Sequence, residues 1–216
     1  ALRALYLGLV AEADHHFGRV LAWLDARGLA ERTLVVVTAD HGEMLGDGGL
    51  WGKDSVFSAA HRVPLLIRDP RARGGARVSR VTQSIDLAPT ILHWLGAETP
   101  PAMDGVSLAT ADAREGCALT EIDLAHPLEP TRFQRAFGLD ETTCNAAVLR
   151  DDRWTCVHFN GGLPPMLFDR AEDLSERRDV ACDPGGAAET ARLRRVMLEL
   201  RMRRADRRLT GVALGA

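Results

Sequence analysis

Residues 33–53 read Thr33-Leu-Val-Val-Val-Thr-Ala-Asp-His-Gly-Glu43-Met-Leu-Gly-Asp-Gly-Gly-Leu-Trp-Gly-Lys53. The apolar, β-branched run Leu34–Val37 predicts a strand buried on both faces, as in the interior of a parallel sheet. It ends in Asp40-His41-Gly42-Glu43, followed by a loop with glycine at 46, 48, 49 and 52. Ligand sites of open α/β sheets lie where strands run out into loops at their carboxyl ends. A carboxylate and an imidazole side by side at such a strand end form half of a metal site, with Asp40 and His41 as the candidate ligands.

Arginine and lysine together number 27, and Lys53 is the single lysine among them. An ammonium is a compact point charge and a guanidinium a planar fork. A lone lysine just beyond the Asp-His pair therefore marks a candidate catalytic cation. Codon bias with one chance survivor is the bland alternative.

The composition, 46% hydrophobic and 26% charged over 216 residues, is that of a soluble globular chain with one sizeable core. A net charge of -3 argues against nucleic acid as the main partner. No apolar run approaches the ~20 residues a membrane-spanning helix needs. Cys117, Cys144, Cys156 and Cys182 are widely spaced, without a C-x-x-C pair. They read as reduced thiols of a cytoplasmic protein.

Upstream, Val10, Ala13, Phe17, Val20, Leu21 and Leu24 recur at helical spacing, predicting an amphipathic helix over Leu5–Arg27 with Gly28 as its cap. Its neighbours His15 and His16 point in different directions and read as solvated. Helix followed by strand is half of a βαβ unit. The chain begins almost at that helix, which suggests a piece of a longer protein. Downstream, Arg62–Arg68 predicts a second short core strand entered through Pro64. Asp86 reads as the N-cap of a helix over Leu87–Leu95 closed by Gly96. Beyond Cys117 the pattern changes to short strands, 118–122, 146–149, 154–159 and 166–169, separated by turn signals such as Gly161-Gly162. A helix over Glu189–Arg208 follows, with Leu193, Val196, Met197 and Leu200 on one face.

Thr38–Asp47, Trp51-Gly-Lys53, Arg62–Arg68, Ser84–Leu92 with Trp94-Leu-Gly96, and Leu163–Asp169 with Glu172-Asp173 occur in this order. Together they resemble the sulfatase branch of the alkaline phosphatase superfamily, and within it most nearly the phosphonate monoester hydrolases, which also cleave phosphodiesters. The resemblance implies an α/β fold: part of an alkaline-phosphatase-like α/β/α sandwich over 1–115, then a small C-terminal antiparallel sheet with a helix over 116–216. It implies that Asp40 and His41 are metal ligands and that Lys53 contacts the charged oxygens of the substrate. Glu43, Asp47 and Asp54 have no such match and read either as loop carboxylates or as carboxylates that support the metal ligands, and His61 as structural. The implied activity is metal-dependent hydrolysis of small-molecule phosphonate monoesters, phosphodiesters or sulfate esters. Imidazole ligation favours Mn²⁺, Zn²⁺ or Fe²⁺ over Ca²⁺. Family members use a formylglycine nucleophile made in a C-x-P-x-R type motif. None of the four cysteines fits that motif, so the nucleophile is expected in a preceding N-terminal part. A catalytically incompetent fragment or assembly module is the alternative reading. A phosphoglycerate-mutase-like relative would share the Asp-His pair but not the later blocks. Assembly into a homo-oligomer stays open.

Overall fold

A computed structural model describes residues 2–72, 74–110 and 116–204. The chain forms two compact units, residues 1–79 and 80–216. This division by packing differs in kind from the family-based boundary expected at 115/116, which adjoins residues outside the described set.

In the first unit, helix α1 spans Leu2–Ala26, starting slightly earlier than the sequence pattern predicts. Gly28 follows with φ 64, and the Gly28 and Leu29 amides bond back to the Asp25 and Leu24 carbonyls. That is a glycine stop of the expected kind. Of the predicted apolar stripe only Phe17, Leu21 and Leu24 are half-buried; Val10, Ala13 and Val20 are exposed. His15 and His16 are both exposed, as expected of a solvated pair.

Strand β1 (Val35–Thr38) pairs with β2 (Leu65–Arg68), Val35 opposite Arg68 and Thr38 opposite Leu65. The pairing is antiparallel, so the one neighbour of β1 among the described residues does not run parallel to it. An apolar run reports that both faces of a strand are apolar; it carries no information on the direction of the neighbouring strand. Val35, Val36 and Val37 are half-buried rather than fully enclosed. Within this chain Leu66 and Ile67 of β2 are exposed. Between the strands lies the short helix α2 (Ser58–His61), which the sequence reading missed. An Arg68–Asp25 ion pair at 3.7 Å links the end of β2 to the end of α1.

In the second unit, α3 covers Leu87–Leu95 and ends at Gly96 with φ 73, as expected. Asp86 stands at the N-cap position of α3, as expected, but its side chain does not cap that helix. It is also the N3 residue of a capping box opened by Gln83, and its carboxylate accepts from the amides of Gln83 (2.9 Å) and Val106 (3.0 Å). The Gln83 side chain also accepts from the Leu119 amide, joining this segment to the sheet that follows.

That sheet has four antiparallel strands in the order β3-β4-β5-β6, spanning Ala118–Asp123, Asn145–Arg150, Trp154–Phe159 and Met166–Asp169. Helix α4 (Arg132–Phe137) interrupts the series between β3 and β4. Helix α5 (Gly186–Arg204) packs Leu193, Met197 and Leu200 on Leu149, Cys156 and Leu167, with Val196 beside them. This is the predicted face; residues 205–208 of the predicted helix lie outside the described residues. Each fully buried leucine contributes roughly 1.5–3 kcal/mol, so this layer is the main core. Among the described residues no helix is long and apolar enough to cross a membrane. Cys117, Cys144 and Cys156 are buried and Cys182 is exposed, and no disulfide joins them.

Candidate active site

β1 ends at Thr38, and four residues on, at Gly42, the chain meets α2. The Gly42 amide donates to the Ala60 carbonyl at 2.8 Å. A Cβ at position 42 would lie 2.1 Å from the Ala59 carbonyl oxygen, so only glycine permits this approach. The strand end is thereby pinned at the residue after His41.

Asp40 presents an 86% exposed carboxylate. Its Oδ1 accepts from the His41 amide at 3.0 Å. That bond is the largest cause holding the Asp40 carboxyl below the usual carboxylate range; its own backbone amide, the His41 ring and, more weakly, the Lys53 ammonium act in the same direction. The ring of His41 lies with Nδ1 2.7 Å from the Gly42 carbonyl oxygen. A carbonyl only accepts, so Nδ1 carries the hydrogen and Nε2 keeps its lone pair in the neutral ring. Nε2 is 3.6 Å from Asp40 Oδ2. A histidine whose other nitrogen is fixed on a carbonyl is the usual arrangement of a metal-binding imidazole.

This donor set suits a divalent transition metal: one ionised carboxylate, one oriented imidazole nitrogen, and a spacing a single ion could bridge. It is not a complete centre. Among the described residues no group of three or more His, Cys, Asp or Glu side chains converges on a common point. Catalytic zinc takes about three protein ligands, so two would hold an ion weakly.

Lys53 is exposed at the far end of the glycine-rich loop. Its charge adds weakly to the lowering of the Asp40 carboxyl. The loop is held by two of the carboxylates that had no family match, together with Arg3. Glu43 Oε1 accepts from the amides of Leu45 (3.1 Å) and Gly52 (2.7 Å). These two bonds, the Leu45 one first, hold its carboxyl below the usual range. Arg3, near the start of α1, donates from Nε to the Leu45 carbonyl (2.6 Å) and from Nη2 to Asp47 (2.7 Å). Asp47 is thus a loop anchor. His61 Nε2 bonds the Ser55 carbonyl at 2.6 Å, in keeping with a structural role. A carboxylate two residues beyond the histidine, facing a run of glycine amides, was the available signal for Glu43. Nothing in the local sequence pointed to Arg3.

A family model described as Sulfatase matches residues 1–97. The multifunctional alkaline phosphatase superfamily protein PehA of Trinickia caryophylli is 38% identical over 97% of this chain and 42% of its own length. Arylsulfatase K of Xenopus laevis is 31% identical over 83% of this chain and 34% of its own. The solved phosphonate monoester hydrolase SpPMH from Silicibacter pomeroyi superposes with a TM-score of 0.89 at 49% identity, covering 95% of this chain and 42% of that one. The chain therefore spans less than half the length of these relatives. Sequence and fold together place it among the sulfatase-related proteins of the alkaline phosphatase superfamily.

Proposed function

We propose that the polypeptide carrying this chain is a metal-dependent hydrolase of phosphonate monoesters, phosphodiesters or sulfate esters. The observation that supports this most directly is the strand-end pair, Asp40 Oδ2 and His41 Nε2 at 3.6 Å. The names of the relatives, a phosphonate monoester hydrolase and an arylsulfatase, supply the substrate classes.

In this reading Asp40 and His41 hold the ion, and the remaining ligands and a formylglycine nucleophile come from outside this chain. A divalent cation held there would supply polarisation of the ester and would lower the pKa of a bound nucleophile. Asp40 contributes an ionised oxygen, kept so by the His41 amide. His41 contributes Nε2, its tautomer set by the Gly42 carbonyl. Lys53 supplies a positive charge to substrate oxygens that gain negative charge in the transition state.

The test is Lys53→Ala in the full polypeptide, assayed with an activated aryl phosphonate and an activated aryl sulfate. Turnover should fall by more than about tenfold, as for loss of one transition-state contact, with metal content near that of the unmodified enzyme. Unchanged turnover would remove Lys53 from the mechanism. The 216 residues alone are expected to bind metal weakly and to turn over neither ester; turnover by them would overturn the assignment of a nucleophile outside the chain.

A further inference from the structure

The loop from Glu43 to Lys53 is unusual in its backbone. Leu45 has φ 50, and Gly46, Gly48, Gly49 and Gly52 have φ 87, 60, 75 and 80. Left-handed conformation at a leucine is uncommon and persists only where its surroundings impose it. A segment this rich in glycine also loses much conformational freedom when fixed in one shape. Both costs fall on the loop that carries the lysine.

Besides the hold of Arg3 on Leu45 and Asp47, one side chain joins the two ends of the loop. Glu43 Oε1 binds the amide of the left-handed Leu45 at one end of the loop and the amide of Gly52, adjacent to Lys53, at the other. The Met44 amide to the Gly52 carbonyl (3.0 Å) runs alongside. The backbone of Glu43 continues directly from Gly42, whose own amide is tied to Ala60. A single carboxylate therefore connects the strand end that bears Asp40 and His41 to the residue preceding Lys53.

We infer that Glu43 is a positioning residue for Lys53: its carboxylate, by accepting from the Leu45 and Gly52 amides together, sets the distance between the lysine and the Asp40–His41 pair. Its role is that of an acceptor of correct length, and its charge serves only to strengthen the two bonds. This rests on the proposed role of Lys53.

Two conservative variants separate length from charge. Glu43→Gln keeps an acceptor oxygen at the same reach and loses the charge; Glu43→Asp keeps the charge and is one methylene too short to serve both amides. In the full polypeptide, with the aryl phosphonate as substrate, Glu43→Asp and Glu43→Ala should lower kcat by about tenfold, the range expected for a misplaced transition-state contact. Metal content should stay unchanged, and amide exchange at Gly52 and Leu45 should accelerate. Glu43→Gln should retain kcat within about threefold, since a neutral acceptor still fills both bonds. In a Lys53→Ala background, Glu43→Asp should have almost no further effect, because residues acting through one another are not additive. An undiminished loss in that background would overturn the inference, as would a Gln variant worse than the Asp variant. If Lys53→Ala is itself silent, it is the role of Lys53 that fails, and amide exchange at Gly52 in Glu43→Asp still decides whether Glu43 holds the loop.

Discussion

Nε2 of His41 stands 3.6 Å from Oδ2 of Asp40, while Nδ1 of the same ring rests on the carbonyl of Gly42 at 2.7 Å. The residue that orients the imidazole is thus the one whose amide is tied to α2 and whose Cα has no room for a side chain. Gly42→Ala would bring a methyl group to 2.1 Å from the Ala59 oxygen, and relief requires the backbone at 42 to move. Such a shift carries the Nδ1 acceptor with it. Loss of an orienting contact of this kind typically weakens metal binding by about 10–100-fold. Metal titration of the full polypeptide should show that loss in the Gly42→Ala variant; unaltered affinity would mean the carbonyl does not orient His41.

Metal removal gives a second expectation. Dialysis against a chelator should abolish ester hydrolysis by the full polypeptide. Mn²⁺, Zn²⁺ or Fe²⁺ should restore it better than Ca²⁺, because an imidazole nitrogen suits transition ions and Ca²⁺ prefers oxygen. Full recovery with Ca²⁺ alone would exclude His41 as a ligand of consequence.

How far the sequence reached can be read at particular residues. The strands β5 and β6 and the apolar face of α5 were legible because period-2 and period-3.6 patterns report burial directly. The Asp-His pair was legible because a strand running into charged residues and glycine is a local signal. The direction of β2 against β1 was not, since it depends on a partner about 30 residues away in the chain, beyond any local pattern. Asp86 does occupy the N-cap position, but its side-chain partners were not legible, since one of them, Val106, lies across a connector. Helix α4 was missed although its signal was present. Thr131 and Gln134 form a capping box, with the Thr131 amide on Gln134 Oε1 at 2.8 Å, and Gly138 closes the helix with φ 64. The hold of Arg3 on Leu45 and Asp47 spans more than 40 positions and has no sequence signature at all.

A third prediction concerns the sheet of the second unit. Glu176 is 3% exposed, sits at φ 53, and accepts from Thr155 Oγ1 at 2.6 Å, with Arg150 Nε at 4.0 Å. Burial, the main cause, pushes the Arg150 guanidinium down to about 10, so it remains charged at neutral pH. Glu176→Ala strips the carboxylate from beside that charge and should cost about 3 kcal/mol or more. Thr155→Val, which leaves Glu176 short of one donor, should cost about 1–2 kcal/mol. Urea denaturation followed by tryptophan fluorescence measures both, and a Glu176→Ala variant as stable as the parent would show that the pair contributes nothing to the sheet.

The last prediction is a pH dependence at Asp140, in the turn that leads into β4. One oxygen, Oδ1, accepts from the amides of Thr142 and Thr143, both at 2.9 Å, and from their hydroxyls at 2.8 and 2.7 Å. All four bonds favour the ionised form. The Thr143 hydroxyl is the largest cause, followed by the Thr142 hydroxyl, and the carboxyl is held at about 2 against an ordinary value of 3.8. The folded value lies below the unfolded one, so the stabilisation is fully present above pH 3.8 and is lost as pH falls through about 2. In Asp140→Asn an amide oxygen can still accept, but the charge that strengthens the bonds is gone. The variant should be less stable than the parent at neutral pH, and the gap should close steadily between pH 4 and pH 2, the window set by those two values. Carbon NMR of the Asp140 carboxyl reads the midpoint directly. A midpoint near 3.8 would show that the threonine hydroxyls do not hold the carboxylate in solution.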